Sequence, residues 1–142
     1  MSHKPTNVFF RNRETGWCSL ATVEISDIAE FKRKHRAMDL PVVERKAGVA
    51  KESHCPKKCT ATTVLEGQLT IFIPAPNGHK FVVLEQGETG IFTDYEAGKP
   101  NDAYEGHGSI AGRFGVKLLP SELTDEPNLN AYGFTPVDRS LE

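Results

Sequence analysis

The stretch that most constrains this chain runs from Gly48 to Pro74, GVAKESHCPKKCTATTVLEGQLTIFIP. β-Branched and aromatic residues gather on both sides of Gly67, the composition of strands that pack on a pleated surface. Gly67 stands where a tight reversal needs positive φ, so the segment reads as strand, turn, strand. His54 and Cys55 open it. The remainder of the chain reads as further hairpins of the same sheet.

The flanking sequence supports this. Val8-Phe-Phe10 is a short apolar run, and residues 17–25 have strand composition. Ser26-Asp27 is an N-cap signal for a helix over residues 28–38, where Ile28 and Phe31 face inward. Lys32, Arg33, Lys34, His35 and Arg36 form a basic run, read as the solvated face of that helix rather than a phosphate site. Residues 41–46 and 80–85 are further strands, with the Asn77-Gly78 pair favouring a reversal between hairpin arms. After a turn at residues 86–90 comes a strand at 91–95, a loop at 97–101, a short strand at 102–107 and a longer one at 109–119. In the last strand Ile110, Phe114, Val116 and Leu118 share one parity and are expected to face the core. From Pro120 onward the pattern dissolves into an extended arm that Tyr132 and Phe134 would pin down. Short strands between Gly, Pro and Asn turns, with one small helix, predict an all-β jelly-roll barrel.

At 142 residues the chain suits one domain, divided into N-terminal strands and helix (1–40), barrel core (41–119) and C-terminal arm (120–142). A net charge of −2 gives no electrostatic footprint for nucleic acid. No apolar run reaches the ~18 residues of a membrane-spanning helix, and the N-terminus carries no signal-peptide pattern. Three cysteines make no disulfide framework, which favours a reducing cytoplasm.

The central stretch resembles the cupins. Their first motif is kept in spacing by Gly48, five residues, His54, Cys55, Pro56, three residues, Thr60, six residues and Gly67. Their second is kept more loosely by Gly90, five residues, Glu96, Ala97, Gly98, two residues, Asn101, three residues and Glu105. The resemblance covers roughly residues 42–119 and implies the jelly-roll barrel. A cupin metal generally takes three His and a Glu from these positions. Here only His54 remains, with Pro56, Thr60 and Asn101 at the other positions, so no metal and no other cofactor is expected.

Within the cupins the chain looks most like the sugar-nucleotide 3,4-ketoisomerases. Gly16-Trp-Cys-Ser-Leu-Ala-Thr-Val-Glu24 is similar to their opening strand, His54-Cys-Pro-Lys-Lys58 to their His-Ala-His-Lys segment, and Gly90-Ile-Phe92 to the start of their late strand. The resemblance implies a homodimer that shifts a keto group on a nucleotide-linked hexose by proton transfer. The chain departs at Pro56, where the second His stands in the family. It departs again at Glu52-Ser53, where the family has Arg-Gly and Lys51 is the nearest cation, and it has no Tyr within residues 41–46.

Strand parity supplies the candidate site. If Asn101 points inward, so do Ala103, Glu105 and His107, and they meet His54 at the barrel mouth, a usual place for a small ligand. His54 is the candidate general base, an imidazole's ordinary pKa of ~6.5 suiting proton abstraction at neutral pH. Glu105 and His107 form a candidate acid–base pair. Asn101, Lys51, Tyr95 and Tyr104 are candidate substrate contacts. The expected partner is a small molecule such as a sugar nucleotide. Two alternatives stay open. One is a non-catalytic ligand-binding or interaction domain. The other is an oxygenase or lyase using His54, His107 and Glu105 as a two-His, one-carboxylate metal set. Cys55 and Cys59 lack the second pair that a structural zinc site commonly needs and read as ordinary thiols.

Overall fold

The computed structural model describes residues 6–11, 18–25, 27–54, 59–73, 78, 80–93, 107–125 and 135–137, with 11, 18–19, 51–54 and 135–137 described by backbone alone. Its elements are β1 (Thr6–Arg11), β2 (Cys18–Val23), α1 (Ile28–Lys34), β3 (Ala37–Asp39), β4 (Val43–Arg45), β5 (Ala50–His54), β6 (Thr60–Ile73), β7 (Lys80–Leu84), β8 (Thr89–Thr93), β9 (His107–Leu123) and β10 (Thr135–Val137). The architecture is all-β with one short helix, as expected. The strands follow the order β10-β2-β1-β8-β6-β9-β3, with β4 and β5 also on β9 and β7 also on β6. Pairing is antiparallel except between β1 and β8. Among the described strands this path is open, ending at β10 and β3, so they form no closed ring. The N-terminal strands, the central stretch and β10 of the C-terminal arm all share this one sheet.

Two long strands, β6 and β9, lie side by side over their whole length. Each works in two halves. Toward the helix, Thr60–Thr63 of β6 pairs with β8, and residues 116–123 of β9 pair with β4 and β3. Away from it, residues 69–73 of β6 pair with β7, and residues 107–110 of β9 pair with β5. Between the halves the pairing on both sides of β6 and β9 changes over. β6 shifts register on both sides of Gly67. β4 gives way to β5 through residues 46–49, held to β9 by Gly48 N–H donating to the Ala111 carbonyl and Ala111 N–H to that of Val49. β7 gives way to β8 through residues 85–88, held to β6 by Gly87 N–H donating to the Val64 carbonyl. A glycine with positive φ stands at each of these places: Gly48 (76°) and Gly87 (86°) in the two connections, Gly67 (82°) in β6 and Gly115 (81°) in β9. Aligned bulges of this kind let strands turn a corner and pass from one layer to the next.

Gly67 is therefore not a hairpin turn but a bulge inside one 14-residue strand. The expectation failed because a bulge and a turn make the same demand for positive φ. Gly115 has the same effect on β9. Alternation slips there, so Phe114 is 88% exposed, Ile110 is half-buried, and Ala111, Val116 and Leu118 are the buried residues. The expected single parity from Ile110 to Leu118 is broken. β9 also runs unbroken from His107 to Leu123, past the expected end at 119. The predicted strand at 102–106 and the pinning residues Tyr132 and Phe134 lie outside the described residues. A reversal between β6 and β7 is as expected, with Ile73 paired to Lys80 and Gly78 at φ 112°, while Asn77 lies outside the described residues.

The helix is shorter than the sequence implies. Asp27 caps it, its carboxylate accepting from Glu30 N–H at 3.0 Å. It ends at Lys34, and Arg36 takes a left-handed φ of 52° that turns the chain into β3, where Ala37 pairs with Leu123. Residues 37–38, expected in the helix, are strand. Pro41 just downstream opposes further helix. Phe31 covers one face of the sheet with Val8, Val23, Ile25, Cys59, Ala61, Ile91 and Leu123. The other face joins the two halves through Phe9, Leu20, Val64, Leu69, Ile71, Ile73, Leu84, Phe92, Ala111, Val116 and Leu118. The basic run is only in part the expected solvated face: Arg33, Lys34 and Arg36 are exposed, with Arg36 on Asp125 at 3.7 Å, whereas Lys32 is half-buried on Asp39 at 2.7 Å and His35 is buried against Phe31. Among the described residues no helix is long and apolar enough to cross a membrane.

Candidate functional site

His107 begins β9 on the face that joins the two halves, and only 6% of it is exposed. Its ring stacks on Phe92 of β8 at 4.2 Å between centroids and 22° between planes. Phe9 of β1 lies at 6.2 Å and stacks on Phe92 at 4.9 Å. The imidazole thus belongs to one half of the sheet and its aromatic floor to the other. The next residue, Gly108, faces the opposite side. A Cβ there would strike the outer edge of the Phe72 ring, so Phe72 packs directly on the β9 backbone beside His107.

The register of β5 on β9, which shifts between Lys51 and His54, puts the backbone of His54 opposite His107 and that of Lys51 opposite Ser109. The side chains of His54 and Lys51, and all of Tyr95, Asn101, Tyr104 and Glu105, lie outside the described residues. The structure accordingly brings His54 and His107 together by backbone position and leaves the proposed Glu105–His107 pair outside what it describes.

Two residues that the sequence did not single out join this face. Ser109, two positions along β9 from His107, is 4% exposed. Its hydroxyl oxygen accepts from Arg45 Nη1 at 2.7 Å. Arg45 pairs in register with buried Val116, so its side chain follows the inner face. Burial lowers its pKa from the ordinary arginine value, although a guanidinium remains charged at neutral pH. Residues 41–46, PVVERK, end in three charged side chains, and nothing in that stretch singles out Arg45 from Glu44 or Lys46.

At the waist, the level of the Gly67 and Gly115 bulges, lies a groove of about 620 Å³, whose walls include Arg45, Lys46, Phe114 and Lys117 together with the carboxylates of Glu44 and Glu66. Lys117 there is paired with Glu44 at 3.3 Å and Glu66 at 3.8 Å.

The donor set does not fit the metal that a cupin motif would hold. Pro56 offers no donor and Thr60 only a neutral hydroxyl. Among the described residues no three His, Cys, Asp or Glu side chains gather as a ligand group. Cys59 is a free, buried thiol that packs in the layer beneath the helix.

No protein-family model and no curated protein matches this chain. Among solved structures it is similar to a recombinant oxalate oxidase in complex with glycolate, at 19% identity over 90% of this chain and 61% of that one, with a TM-score of 0.45. It is also similar to oxalate decarboxylase of Bacillus subtilis, at 16% identity over 92% of this chain and 33% of that one, TM-score 0.47. A third is vicilin of Corylus avellana (hazelnut), at 15% identity over 83% and 31%, TM-score 0.43. The chain spans less than two thirds of each. At these identities and scores none of them transfers a residue role or an activity to this chain.

Proposed function

We propose that this chain is a cupin that binds a small polar ligand between the two halves of its sheet and moves protons on it without a metal. The reaction is isomerisation or epimerisation of a carbohydrate or sugar nucleotide. The observation that carries this reading is the buried, ring-stacked His107 with His54 opposite it in register. Two imidazole-bearing positions beside an aromatic floor supply what enolisation needs: a base near neutral pH and a wall that excludes water. His54 removes the proton next to the substrate carbonyl. The electrons pass onto the carbonyl oxygen to give an enediolate; as a proton moves from the neighbouring hydroxyl to that oxygen, His107 with Glu105 protonates the former carbonyl carbon, leaving the keto group one carbon away. Asn101, Lys51, Tyr95 and Tyr104 hold the sugar and its nucleotide. The reading includes a homodimer in a reducing cytoplasm.

The test is deuterium exchange. Nucleotide-linked hexoses incubated with the protein in D2O should gain label next to the carbonyl. His54→Ala should abolish the gain, and His107→Phe, which keeps a stacking ring, should reduce it at unchanged stability. Absence of exchange with every nucleotide-linked hexose overturns the catalytic reading.

A second reading has its own support. Pro56 replaces a histidine of the motif, and His107 is nearly sealed. Both favour a domain that binds its ligand and leaves it unchanged. Saturable binding without exchange, insensitive to His54→Ala, would establish it.

A further inference from the structure

Arg45 lies on the inner face but has no part in the proton transfer. Its guanidinium is half-buried and reaches past the waist to a neutral hydroxyl, Ser109 Oγ, at 2.7 Å. Among the described residues no carboxylate lies within ion-pair distance of it. Its neighbours in the fold behave differently. Lys117, one strand away, has two glutamates, and Lys32 has Asp39. Among the described residues the influence on its ionisation is loss of water, with no opposing charge acting on it. A charge removed from water is costly unless it is paired. Ser109 occupies one of five N–H donors in a planar fork that matches the two oxygens of a carboxylate or phosphate. The residue also borders an open groove, whose two carboxylates, Glu44 and Glu66, are both paired with Lys117. His107 stands two residues from Ser109 on the same face, about 7 Å along the strand.

We propose that Arg45, steadied by Ser109, is an oxyanion receptor and that the ligand of this protein carries a carboxylate or phosphate group beside His107. This deepens the proposed function and rests on it for the position of the ligand. A nucleotide-linked sugar brings phosphate and a sugar acid brings carboxylate, and the probes separate the two.

The experiment measures binding of malonate and of inorganic phosphate to the full chain by calorimetry, at constant ionic strength in chloride, with malonamide as the uncharged control. One of the two anions should bind saturably and malonamide should not. Arg45→Met should weaken that anion at least about tenfold, the loss of a charge-assisted pair, while Arg45→Lys should keep part of the affinity. Arg45→Met should melt at or above the wild-type temperature, so weakened binding will not reflect unfolding. Ser109→Ala should weaken binding less than Arg45→Met. Preference for malonate assigns a carboxylate, and preference for phosphate a phosphoryl group. Equal anion binding by wild type and Arg45→Met, or no anion binding by wild type, overturns the receptor. The function reading fails separately. Anion binding that needs Arg45 but ignores His107→Phe, with no deuterium exchange on any sugar nucleotide, leaves the receptor standing and removes the isomerase. Exchange unaffected by Arg45→Met does the reverse.

Discussion

The two faces of the helix-side sheet are both buried, yet they handle polarity in opposite ways. Beneath α1, a fully buried hydroxyl, that of Ser121, donates to Asp39 at 2.6 Å, and Asp39 in turn holds Lys32 at 2.7 Å. Hydrogen bonds from Lys32 and Ser121, in that order, pull the Asp39 carboxyl below its ordinary pKa. Every polar group in that set has a partner and the charges cancel. On the face that joins the two halves, Ser109 meets a cation that, among the described residues, brings no anion with it. Both layers bury similar apolar residues, so burial alone does not separate scaffold from site. The closure of the polar network does: a balanced network belongs to the fold, and an unbalanced one points to something the fold receives.

The strongest way to break this contrast is Phe31→Ala. If the helix-side layer is pure scaffold, the change should cost about 3–5 kcal/mol, as deleting a buried aromatic ring usually does, with anion binding to the folded fraction unchanged. Denaturant melts and calorimetry read both. A smaller but sharper test lies at the waist. Gly67→Ala places a methyl group against the Gly115 carbonyl and should cost about 3 kcal/mol or more through clash and positive φ. A methyl group on Gly48 would meet nothing within 4 Å, so Gly48→Ala should cost only about 1 kcal/mol, from backbone conformation. Equal losses in the two variants would deny that the bulges interlock.

Arg45→Met should change stability by less than about 1 kcal/mol or raise it, because it removes an unpaired, partly desolvated charge. A loss above about 2 kcal/mol would place Arg45 among the scaffold residues. The smallest effect concerns pH. Burial, then Lys34, lowers the pKa of His35, while Asp125 acts against them. The unfolded chain therefore takes up this proton first, and the stability that His35 contributes is lost as pH falls below about 6.5. His35→Gln should flatten the stability profile between about pH 7 and pH 5.5. Asp39, also lowered, contributes stability above the ordinary carboxylate range that disappears on further acidification.

Much of this architecture was legible in the residues themselves. β-Branched runs on both sides of Gly67 announced a strand-rich sheet, and Asp27 with Ile28 and Phe31 marked the start and the inner stripe of α1. Alternation then misled at Gly67 and Gly115. Periodicity assumes an unbroken pleat, and a single inserted residue reverses every assignment beyond it. Phe114, chosen for the core on parity, became the most exposed of the large apolar residues described because it precedes such an insertion. His107 was found by counting strand parity on from Asn101. Arg45 was missed because its importance depends on a partner, Ser109, that lies far away in sequence and meets it only through the fold.

The row of positive-φ glycines has a kinetic consequence. Each pair of neighbouring strands can zip in several registers that satisfy backbone hydrogen bonds, but only one puts Gly67 against Gly115, where the backbones approach too closely for any side chain. A slip by one residue would press a Cβ into that gap and turn a strand's apolar residues toward water. The glycines thus act as a checksum on pairing. The central strands β6 and β9, which meet only after a long loop has closed, can commit to one alignment and reject its near neighbours before the core has packed.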